Sequence, residues 1–548
     1  MRGPVASSWL FVLVGVGSAC PLAPGDAPDA GTVGADAGRR LAVGGVGSGV
    51  RERPVVDPGD GGTALDAGPA SDAGSDAGGD AGGDAGTLPP GVVDATSVED
   101  RLLFGYQGWF ACEGDGSPLD LAGDGWRHWS PGVTPAPDNV SFEMWPDTRE
   151  LDGTERCATS MSMAGGDNAG LYSAWNAATV DRHFAWMEEH GLDGVLLQEF
   201  VVELEVGSAP RAVRDGVLAN VKTGAEAHGR TWAVMYDISG APADGIHERI
   251  VEHWASLAES GVLSSERYLH HEGLPVIGVW GYGFNDRPGT PAEATALLNW
   301  LQADAPVGQR AFVIGGVPSR WRTLSADSHA DPAWATVYRR YDVISPWLVG
   351  RCNSEAGARD YRADVLDADI AAAHGAGKLF MPVLFPGFSW ANLFRGTEPN
   401  LIPRHGGRFW WTQFYEDKSA GADTFFAAMF DEVDEGTAMM KVAEDPSMEP
   451  TTGQFLSLDA DGEALPSDWY LQLAGEATRV LRGERTLTAA RPITPPLPTC
   501  SPPNTVLVID RCVPSCGAAG GDSCDPGVCA SRPHLESYDC GVCCDATP

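Results

Sequence analysis

Eight apolar segments alternate with eight amphipathic segments between residues 95 and 485, and this alternation constrains the fold more than any other feature. Most of the apolar segments are continuously hydrophobic, as expected of strands buried on both faces of a parallel sheet. The predicted strands are 102–106, 195–200, 231–237, 275–280, 311–315, 342–346, 379–385 and 424–430. The predicted helices are 171–190, 209–228, 244–260, 290–303, 331–340, 356–374, 409–419 and 467–481. Eight such units predict a (β/α)8 barrel, a TIM barrel with insertions. A doubly wound open sheet is the alternative, but no Gly-x-Gly-x-x-Gly follows the first strand.

Composition narrows the classes of partner. The chain has 548 residues, 43% of them hydrophobic, and a formal net charge of -38. That charge argues against binding to nucleic acid, whose phosphates require a basic surface. The 18 tryptophans suit both a large core and sugar binding, because aromatic faces stack on pyranose rings. We expect a monomer that needs no metal and no cofactor.

The first 20 residues are predicted to be an export signal, with Arg2, an apolar stretch over 9–16, and small residues before Cys20. A cysteine at this place resembles a bacterial lipobox, which makes Cys20 the candidate lipid anchor of a cell-surface or outer-membrane lipoprotein. Plain secretion is the alternative. Residues 21–94 are rich in Ala, Gly and Asp, a composition that predicts a disordered tether.

Cysteine usage also indicates export. Eight of the 12 cysteines lie between Cys500 and Cys544, which predicts a disulfide-rich module over 500–548 behind a proline-rich linker at 486–499. A zinc site that includes the Cys-x-x-Cys of residues 540–543 is the alternative. Cys112 and Cys157 are candidates for a disulfide that clamps a long first loop, and Cys352 would then remain free.

Aromatic and acidic residues gather at the predicted ends of the strands and in the long first loop. In a (β/α)8 barrel the strand ends form one mouth, where the site lies. This mixture is typical of a sugar-binding cleft, although each member alone is more often rim packing or a helix cap. The candidate substrate-binding residues are Tyr106, Trp109, His128, Trp129, Glu199, Tyr236, Asp237, Trp280, Tyr282, Trp347 and Trp390.

Four carboxylates stand within five positions directly after the eighth strand: Asp431, Glu432, Asp434 and Glu435. Like charges this close repel, so at least one carboxyl should hold its proton near neutral pH if the site is partly buried. A protonated acid beside an ionised carboxylate is what cleavage of a glycosidic bond requires. A solvated acidic turn and a calcium loop are the alternatives. The calcium loop fits poorly, because Val433 occupies a position where an EF-hand has an oxygen ligand.

Three sequence motifs are Tyr-Gln-Gly-Trp-Phe at 106–110, Trp-Arg-His-Trp at 126–129, and Phe-Asp-Glu-Val-Asp-Glu-Gly-Thr at 430–437. Together they resemble the family 71/99-like glycoside hydrolases, whose family 99 contains endo-α-mannosidases and endo-mannanases. The family 99 version of the last motif has Asn and His where this chain has Asp431 and Asp434. The resemblance implies a retaining mechanism, in which Glu432 is the base acting on the sugar 2-hydroxyl and Glu435 is the acid/base. It also adds Asp431 and Asp434 to the candidate substrate-binding residues.

The sequence therefore predicts a secreted or surface-anchored glycoside hydrolase that acts on a polysaccharide or glycan. The alternative is a catalytically inactive carbohydrate-binding or adhesion protein on the same barrel. Retention of both Glu432 and Glu435 favours the enzyme, because a lectin does not need the pair.

Overall fold

The structure is a computed structural model and describes residues 88–89 and 91–495, together with the backbone of 505–508 and 511–514. The predicted export signal with Cys20, most of the predicted tether and most of the cysteine module lie outside the described residues. Within the described residues, no helix is long and apolar enough to cross a membrane.

The strands follow the predicted order closely. They are β1 Leu102–Tyr106, β2 Cys157–Ser162, β3 Asn168–Leu171, β4 Gly194–Phe200, β5 Thr231–Asp237, β6 His270–His271, β7 Leu274–Trp280, β8 Phe312–Val317, β9 Val343–Pro346, β10 Leu379–Phe380, β11 Val383–Leu384, β12 Phe425–Ala427, β13 Thr505–Val508 and β14 Arg511–Pro514. Every residue of β4 and β5 is buried, because both faces of a parallel barrel strand are covered. β13 and β14 form an antiparallel pair.

A helix follows each barrel strand. The helices are α1 Pro118–Leu121, α2 Ala177–Glu189, α3 Ala209–His228, α4 Ile246–Glu259, α5 Pro291–Asn299, α6 Ala333–Tyr338, α7 Glu355–Tyr361, α8 Asp367–Gly375, α9 Arg408–Ala420 and α10 Trp469–Leu481. Two predicted helices are interrupted by π-helical turns, at Trp300–Asp304 after α5 and at Arg362–Leu366 between α7 and α8.

Capping chemistry sets the helix ends. The Ser208 side chain accepts a hydrogen bond from Arg211 N at the start of α3, and Gly229 ends that helix in the left-handed conformation with φ of 61°. The predicted helix 171–190 begins only at Ala177, because Leu171 ends the β2–β3 hairpin and Asn176 caps α2.

The seventh predicted strand, 379–385, forms as two short strands, β10 and β11, and together they close the barrel. The sheet runs in the order β10, β9, β8, β7, β5, β4, β1, β12, β11. β10 pairs with β9 and β11 pairs with β12, each in parallel. The two short strands are separated by Met381 and Pro382, and proline has no N–H to give to a ladder. The predicted (β/α)8 barrel is confirmed, and the open sheet is wrong.

The first loop, residues 107–176, connects β1 to α2 and carries α1 and the β2–β3 hairpin. A disulfide joins Cys112 and Cys157, as predicted, with 6.2 Å between their Cα atoms. Backbone hydrogen bonds tie the loop to the segment after β12, including Ala443 N to Trp145 O at 2.8 Å and Asp147 N to Lys441 O at 3.1 Å. Cys352 is buried after β9.

Residues just outside the predicted barrel domain, 95–485, also pack against the core of the barrel. Val93 is buried, and its N donates to Gly229 O at 2.9 Å. At the other end, Leu487 and Ile493 pack against the core. Apolar side chains beside the Pro-rich and Gly-rich stretches extend the packed region at both ends.

Candidate active site

The acid loop, residues 431–437, is separated from the end of β12 by three residues. Its four carboxylate side chains belong to residues that are only 1 to 8% exposed. Thr437 N and Ala438 N both donate to Glu432 O, at 3.2 and 3.0 Å, and fold the loop back on itself. Gly436 has φ of 65°, and a Cβ there would stand 3.0 Å from Ser389 N. The loop is therefore a buried, closely packed turn, which rules out the solvated acidic turn.

Asp431 fastens the acid loop to the end of β1. Its two carboxylate oxygens accept hydrogen bonds from Gln107 N at 2.7 Å and Gly108 N at 2.9 Å. Burial raises the pKa of Asp431 to about 6, against the opposing effect of these two amides. Both oxygens are already engaged, so this residue positions the loop rather than offering a free carboxylate to substrate.

Glu432 is the better hydrogen-bonded of the two glutamates. Its Oε1 accepts from Gln107 Nε2 at 2.7 Å, and its Oε2 accepts from Thr437 Oγ1 at 2.6 Å. Burial and the negative charge of Asp434 raise the pKa of Glu432, while the two donors oppose the rise by favouring the ionised form.

Glu435 lies in a different environment. No donor among the described residues hydrogen-bonds to its carboxylate, and only its backbone oxygen is held, by Ser389 N at 2.9 Å. Burial and the charges of Glu432 and Asp434 raise the pKa of Glu435 well above its usual range, with a small opposing effect of Arg287. The pKa of both glutamates is raised, but Glu435 holds its proton more strongly than Glu432, whose two hydrogen bonds favour the ionised form. This is the order that an acid and a base require.

Asp434 contacts the first loop. Its Oδ2 lies 3.2 Å from His128 Nδ1, and its Oδ1 is buried without a hydrogen-bond partner in the described part of the chain. The His128 ring stacks on Trp109 with a centroid distance of 3.9 Å and an interplanar angle of 6°. Burial and the nearby charge of Arg127 lower the pKa of His128 to about 3, so the imidazole is neutral.

Trp109, a predicted binding residue, stacks on two other rings of the protein. Phe200 stacks on the indole at 5.3 Å, and His128 stacks at 3.9 Å. With both partners in place, Trp109 supports the neighbouring rings and does not offer a free face to a sugar. The His128 side chain is 31% exposed, so part of it is open to a ligand.

Three predicted binding residues point toward the helix layer, and all three are fully buried: Tyr106, Glu199 and Tyr236. The hydroxyl of Tyr106 bonds His183 on α2 at 2.8 Å, and that of Tyr236 bonds His253 on α4 at 2.9 Å. Glu199 is in register with Tyr236 and shares its orientation. Side chains alternate along a strand, so Gln107 and the other residues one position away face the barrel interior instead.

Trp129 and Tyr282 also belong to the core. Trp129 is fully buried, and its Nε1 donates to Tyr172 O at 2.9 Å. Tyr282 is 1% exposed and packs on Trp334. Their large apolar rings fill the space between the loops and the barrel.

The other predicted binding residues lie at or just after the ends of β5, β7, β9 and β11. Asp237 and Trp280 are in register at the ends of β5 and β7. Trp280 meets Trp347 at 5.2 Å, and the Arg287 guanidinium lies 5.4 Å from the Trp280 ring centroid. Burial raises the pKa of Asp237, and its Oδ1 accepts from Ser239 N at 2.7 Å. Trp390, after β11, packs between Phe388 and Phe394.

A buried arginine lies behind Gln107, which donates a hydrogen bond to Glu432. Arg214 on α3 is 2% exposed and donates twice to Gln107 O, at 3.0 Å each. Its Nε is also 3.4 Å from Glu199 Oε2. Glu199 therefore contacts the arginine that donates hydrogen bonds to the backbone oxygen of Gln107.

Several residues of the site carried no assigned role in the sequence analysis: Gln107, Glu143, Arg214, Ser389 and Thr437. Gln107 and Thr437 stand inside the motifs, next to residues that were assigned. Glu143, Arg214 and Ser389 gave no local signal, because their partners lie far away along the chain.

No group of three or more His, Cys, Asp or Glu residues that could hold a metal ion occurs among the residues with described side chains. In the acid loop, the carboxylate oxygens of Asp431 accept from backbone amides, and those of Glu432 accept from Gln107 and Thr437. The calcium-loop interpretation therefore finds no support in its geometry.

A closed (β/α)8 barrel that gathers carboxylates at the carboxyl ends of its strands has the architecture of a barrel enzyme. No known family model matches the sequence, and no curated protein is similar to it. The fold is similar to that of the GH99 endo-alpha-mannosidase from Bacteroides thetaiotaomicron in complex with BIS-TRIS-propane. The TM-score is 0.50 at 14% identity, over 71% of this chain and 99% of that one.

Two further structures are similar at lower scores. Another structure of the GH99 endo-alpha-mannosidase from Bacteroides thetaiotaomicron gives a TM-score of 0.49 at 14% identity, over 71% and 99% of the two chains. GH5_18 from Streptomyces cattleya in complex with GlcNAc gives 0.34 at 13% identity, over 57% and 77%. The resemblance expected from the motifs is confirmed for the fold, which is similar to that of a GH99 endo-alpha-mannosidase.

Proposed function

We propose that this protein is a glycoside hydrolase that cleaves a polysaccharide or glycan with retention, using Glu432 and Glu435. The observation that carries the proposal is the unequal pair of glutamates in the acid loop. Glu432 accepts two hydrogen bonds that favour its ionised form, whereas Glu435 is buried beside negative charges and accepts none from the described residues. Acid–base cleavage of a glycoside requires two carboxyl groups whose environments give them different pKa values.

The mechanism follows the route that the motif resemblance implies. Glu432 removes the proton from the sugar 2-hydroxyl, and the oxygen attacks the anomeric carbon to form a 1,2-anhydro sugar. As the glycosidic bond breaks, Glu435 gives its proton to the leaving oxygen. In the second step Glu435 takes a proton from water, the water oxygen opens the anhydro ring, and Glu432 returns a proton to the 2-oxygen. Two inversions at one carbon give net retention.

The neighbouring rings support binding of a sugar chain. The His128 side chain is 31% exposed beside the acid loop, and Trp280 contacts Trp347 edge-on at the ends of β7 and β9. Aromatic rings suit the apolar faces of pyranoses. The shared fold with an endo-alpha-mannosidase supports a glycan substrate and leaves the particular sugar open.

The experiment is incubation of the purified full-length protein with mannans, xylans, α-glucans and bacterial polysaccharides, followed by sizing of the products. Proton NMR of the first product then gives its anomeric configuration. We expect one class of polysaccharide to be shortened, with the product anomer first formed matching the bond cleaved. Binding without cleavage of any polysaccharide would replace the enzyme with the carbohydrate-binding alternative. An inverted anomer would reject the two-step route.

We also propose that the protein is exported and anchored to the cell surface by a lipid on Cys20. The small residues before Cys20 support the anchor. The composition of residues 21–94 supports a tether with a typical reach of about 5 nm, enough to present the barrel mouth to bulky glycan. Cys20→Ser should release the protein from membranes. Intact-mass measurement of the native protein decides the proposal, since an N-terminus without lipid contradicts it.

A further inference from the structure

Glu143 is a buried carboxylate of the first loop that belongs neither to the acid loop nor to the base and acid. It is 2% exposed. Its Oε2 accepts a hydrogen bond from Ser389 Oγ at 2.6 Å, and its Oε1 accepts one from Asn392 N. Both donors lie on the loop after β11, so this side chain joins the first loop to the seventh.

The backbone of Glu143 joins the first loop to the acid loop. Glu143 N donates to Val433 O at 2.9 Å, and Glu143 O accepts from Leu456 N at 2.7 Å. One residue therefore contacts three separate parts of the chain that surround the mouth. The contact at Val433 lies two positions before Glu435.

Ser389 links the Glu143 side chain to the backbone of Glu435. Its N donates to Glu435 O at 2.9 Å, while its hydroxyl donates to Glu143 and accepts from Asn400 N at 2.9 Å. Ser389 N also sits 3.0 Å from where a Cβ of residue 436 would stand. The serine is thus fixed on one side by Glu143 and on the other by the turn that contains Glu435.

We propose that Glu143 is a positioning residue for the acid. Through Ser389 it fixes the place of Glu435, whose carboxyl has no hydrogen bond from the described residues to hold it. This inference rests on the proposed function, in which Glu435 protonates the leaving oxygen. An ionised carboxylate has only acceptors, and the two groups that face Glu143 are donors. A glutamine would turn an N–H toward one of them and loosen the connection.

Acid catalysis can be isolated by the choice of leaving group. A sugar hydroxyl needs a proton as it leaves, whereas a dinitrophenolate leaves readily without one. Displacement of Glu435 should therefore slow cleavage of the natural bond far more than cleavage of an activated aryl glycoside. A general loss of structure would slow both alike.

The experiment compares Glu143→Gln with Glu155→Gln in the full-length protein. Glu155 is the matched control, because it is 1% exposed, lies in the same loop and accepts from Arg182 on α2, away from the mouth. The substrates are the polysaccharide that the unsubstituted protein cleaves and a dinitrophenyl glycoside of the same sugar. Thermal melting is measured for each variant.

We expect Glu143→Gln to lower kcat on the polysaccharide about tenfold or more and kcat on the aryl glycoside less than about threefold, the range for impaired acid catalysis. Glu155→Gln should lower the melting temperature with both rates unchanged. Ser389→Ala, which keeps the N–H to Glu435, should reproduce the selective loss and decides the question if Glu143→Gln does not fold. Equal slowing of both substrates, or no slowing, overturns the inference. Inactivity of the unsubstituted protein on every polysaccharide instead overturns the proposed function.

Discussion

Thr437→Val should shift the acid limb of the pH profile to higher pH. The Thr437 hydroxyl donates to Glu432 Oε2 at 2.6 Å, and valine has the same shape without the donor. A hydrogen bond to a charged group contributes about 1.5–3 kcal/mol, and one pKa unit corresponds to about 1.4 kcal/mol. Loss of this bond should therefore raise the pKa of Glu432 by about one to two units.

The direction follows from the role of the base. The hydrogen bond favours the ionised form of Glu432, so its removal makes the proton harder to lose. Because the base must be ionised to act, the acid limb of kcat/KM should move up by about one to two pH units. The hydrogen bond from Gln107 remains, so activity should recover at pH values above the shifted limb.

The assay is kcat/KM against pH for the unsubstituted protein, Thr437→Val and a control, Thr478→Val. Thr478 is fully buried in α10, and its hydroxyl donates only to the backbone oxygens of Gly191 and Gly475. The control should lose stability without any shift of the profile. A uniform loss of activity at all pH values in Thr437→Val, or a shift to lower pH, would refute the assignment of Glu432 as the base.

Three further predictions concern stability and domain organisation. Glu435→Gln should raise the melting temperature at pH 8 more than at pH 5. In the folded protein the raised pKa of Glu435 keeps its proton bound, whereas the unfolded chain loses that proton above the ordinary pKa of glutamate. Glu435 therefore lowers the stability of the fold more as the pH rises. A difference in melting temperature that does not depend on pH contradicts this. Replacing both Cys112 and Cys157 by serine should lower the free energy of unfolding by up to about 4 kcal/mol. It should also reduce kcat, because His128 and Glu143 lie in the loop that the disulfide closes. Chemical denaturation and kinetics measure the two effects, and an unchanged kcat argues against a role of the loop in the site. Removing residues 499–548 should leave barrel melting unchanged, because the last barrel helix ends at Leu481; a barrel that no longer folds contradicts a separate module.

The barrel could be predicted from sequence because its determinants are local. Continuous apolar runs mark strands buried on both faces, and capped amphipathic segments mark the helices between them. The predicted strands 102–106 and 231–237 and the helix 209–228 have the same bounds in the structure. The acid loop was found in the same way, because four carboxylates after one strand leave a clear local signal.

The direction in which the side chains at the strand ends point could not be predicted equally well. Residues at the carboxyl end of a strand lie near the mouth, but alternate side chains point inward and outward. The prediction of Tyr236 and Asp237 together as binding residues ignored this alternation. In the structure Tyr236 bonds His253 on α4, whereas Asp237 lies in register with Trp280 at the mouth.

Long-range partners were beyond local sequence patterns. Glu143 and Ser389 are separated by 246 positions and Gln107 and Glu432 by 325. No spacing rule connects such pairs, because only closure of the barrel and packing of the first loop bring them together. The same reason explains why Arg214, a helix residue in the sequence, was not expected behind the base.

The central claim is that Glu432 and Glu435 are the base and the acid of a glycoside hydrolase. The most direct measurement is the rate of product release from the susceptible polysaccharide by Glu432→Gln and Glu435→Gln, with Glu155→Gln as the control for loss of a buried carboxylate. Each site variant should be slower by at least about a hundredfold and should fold normally, whereas Glu155→Gln should keep its rate. Near-normal activity in either site variant, with cooperative thermal melting, would contradict it.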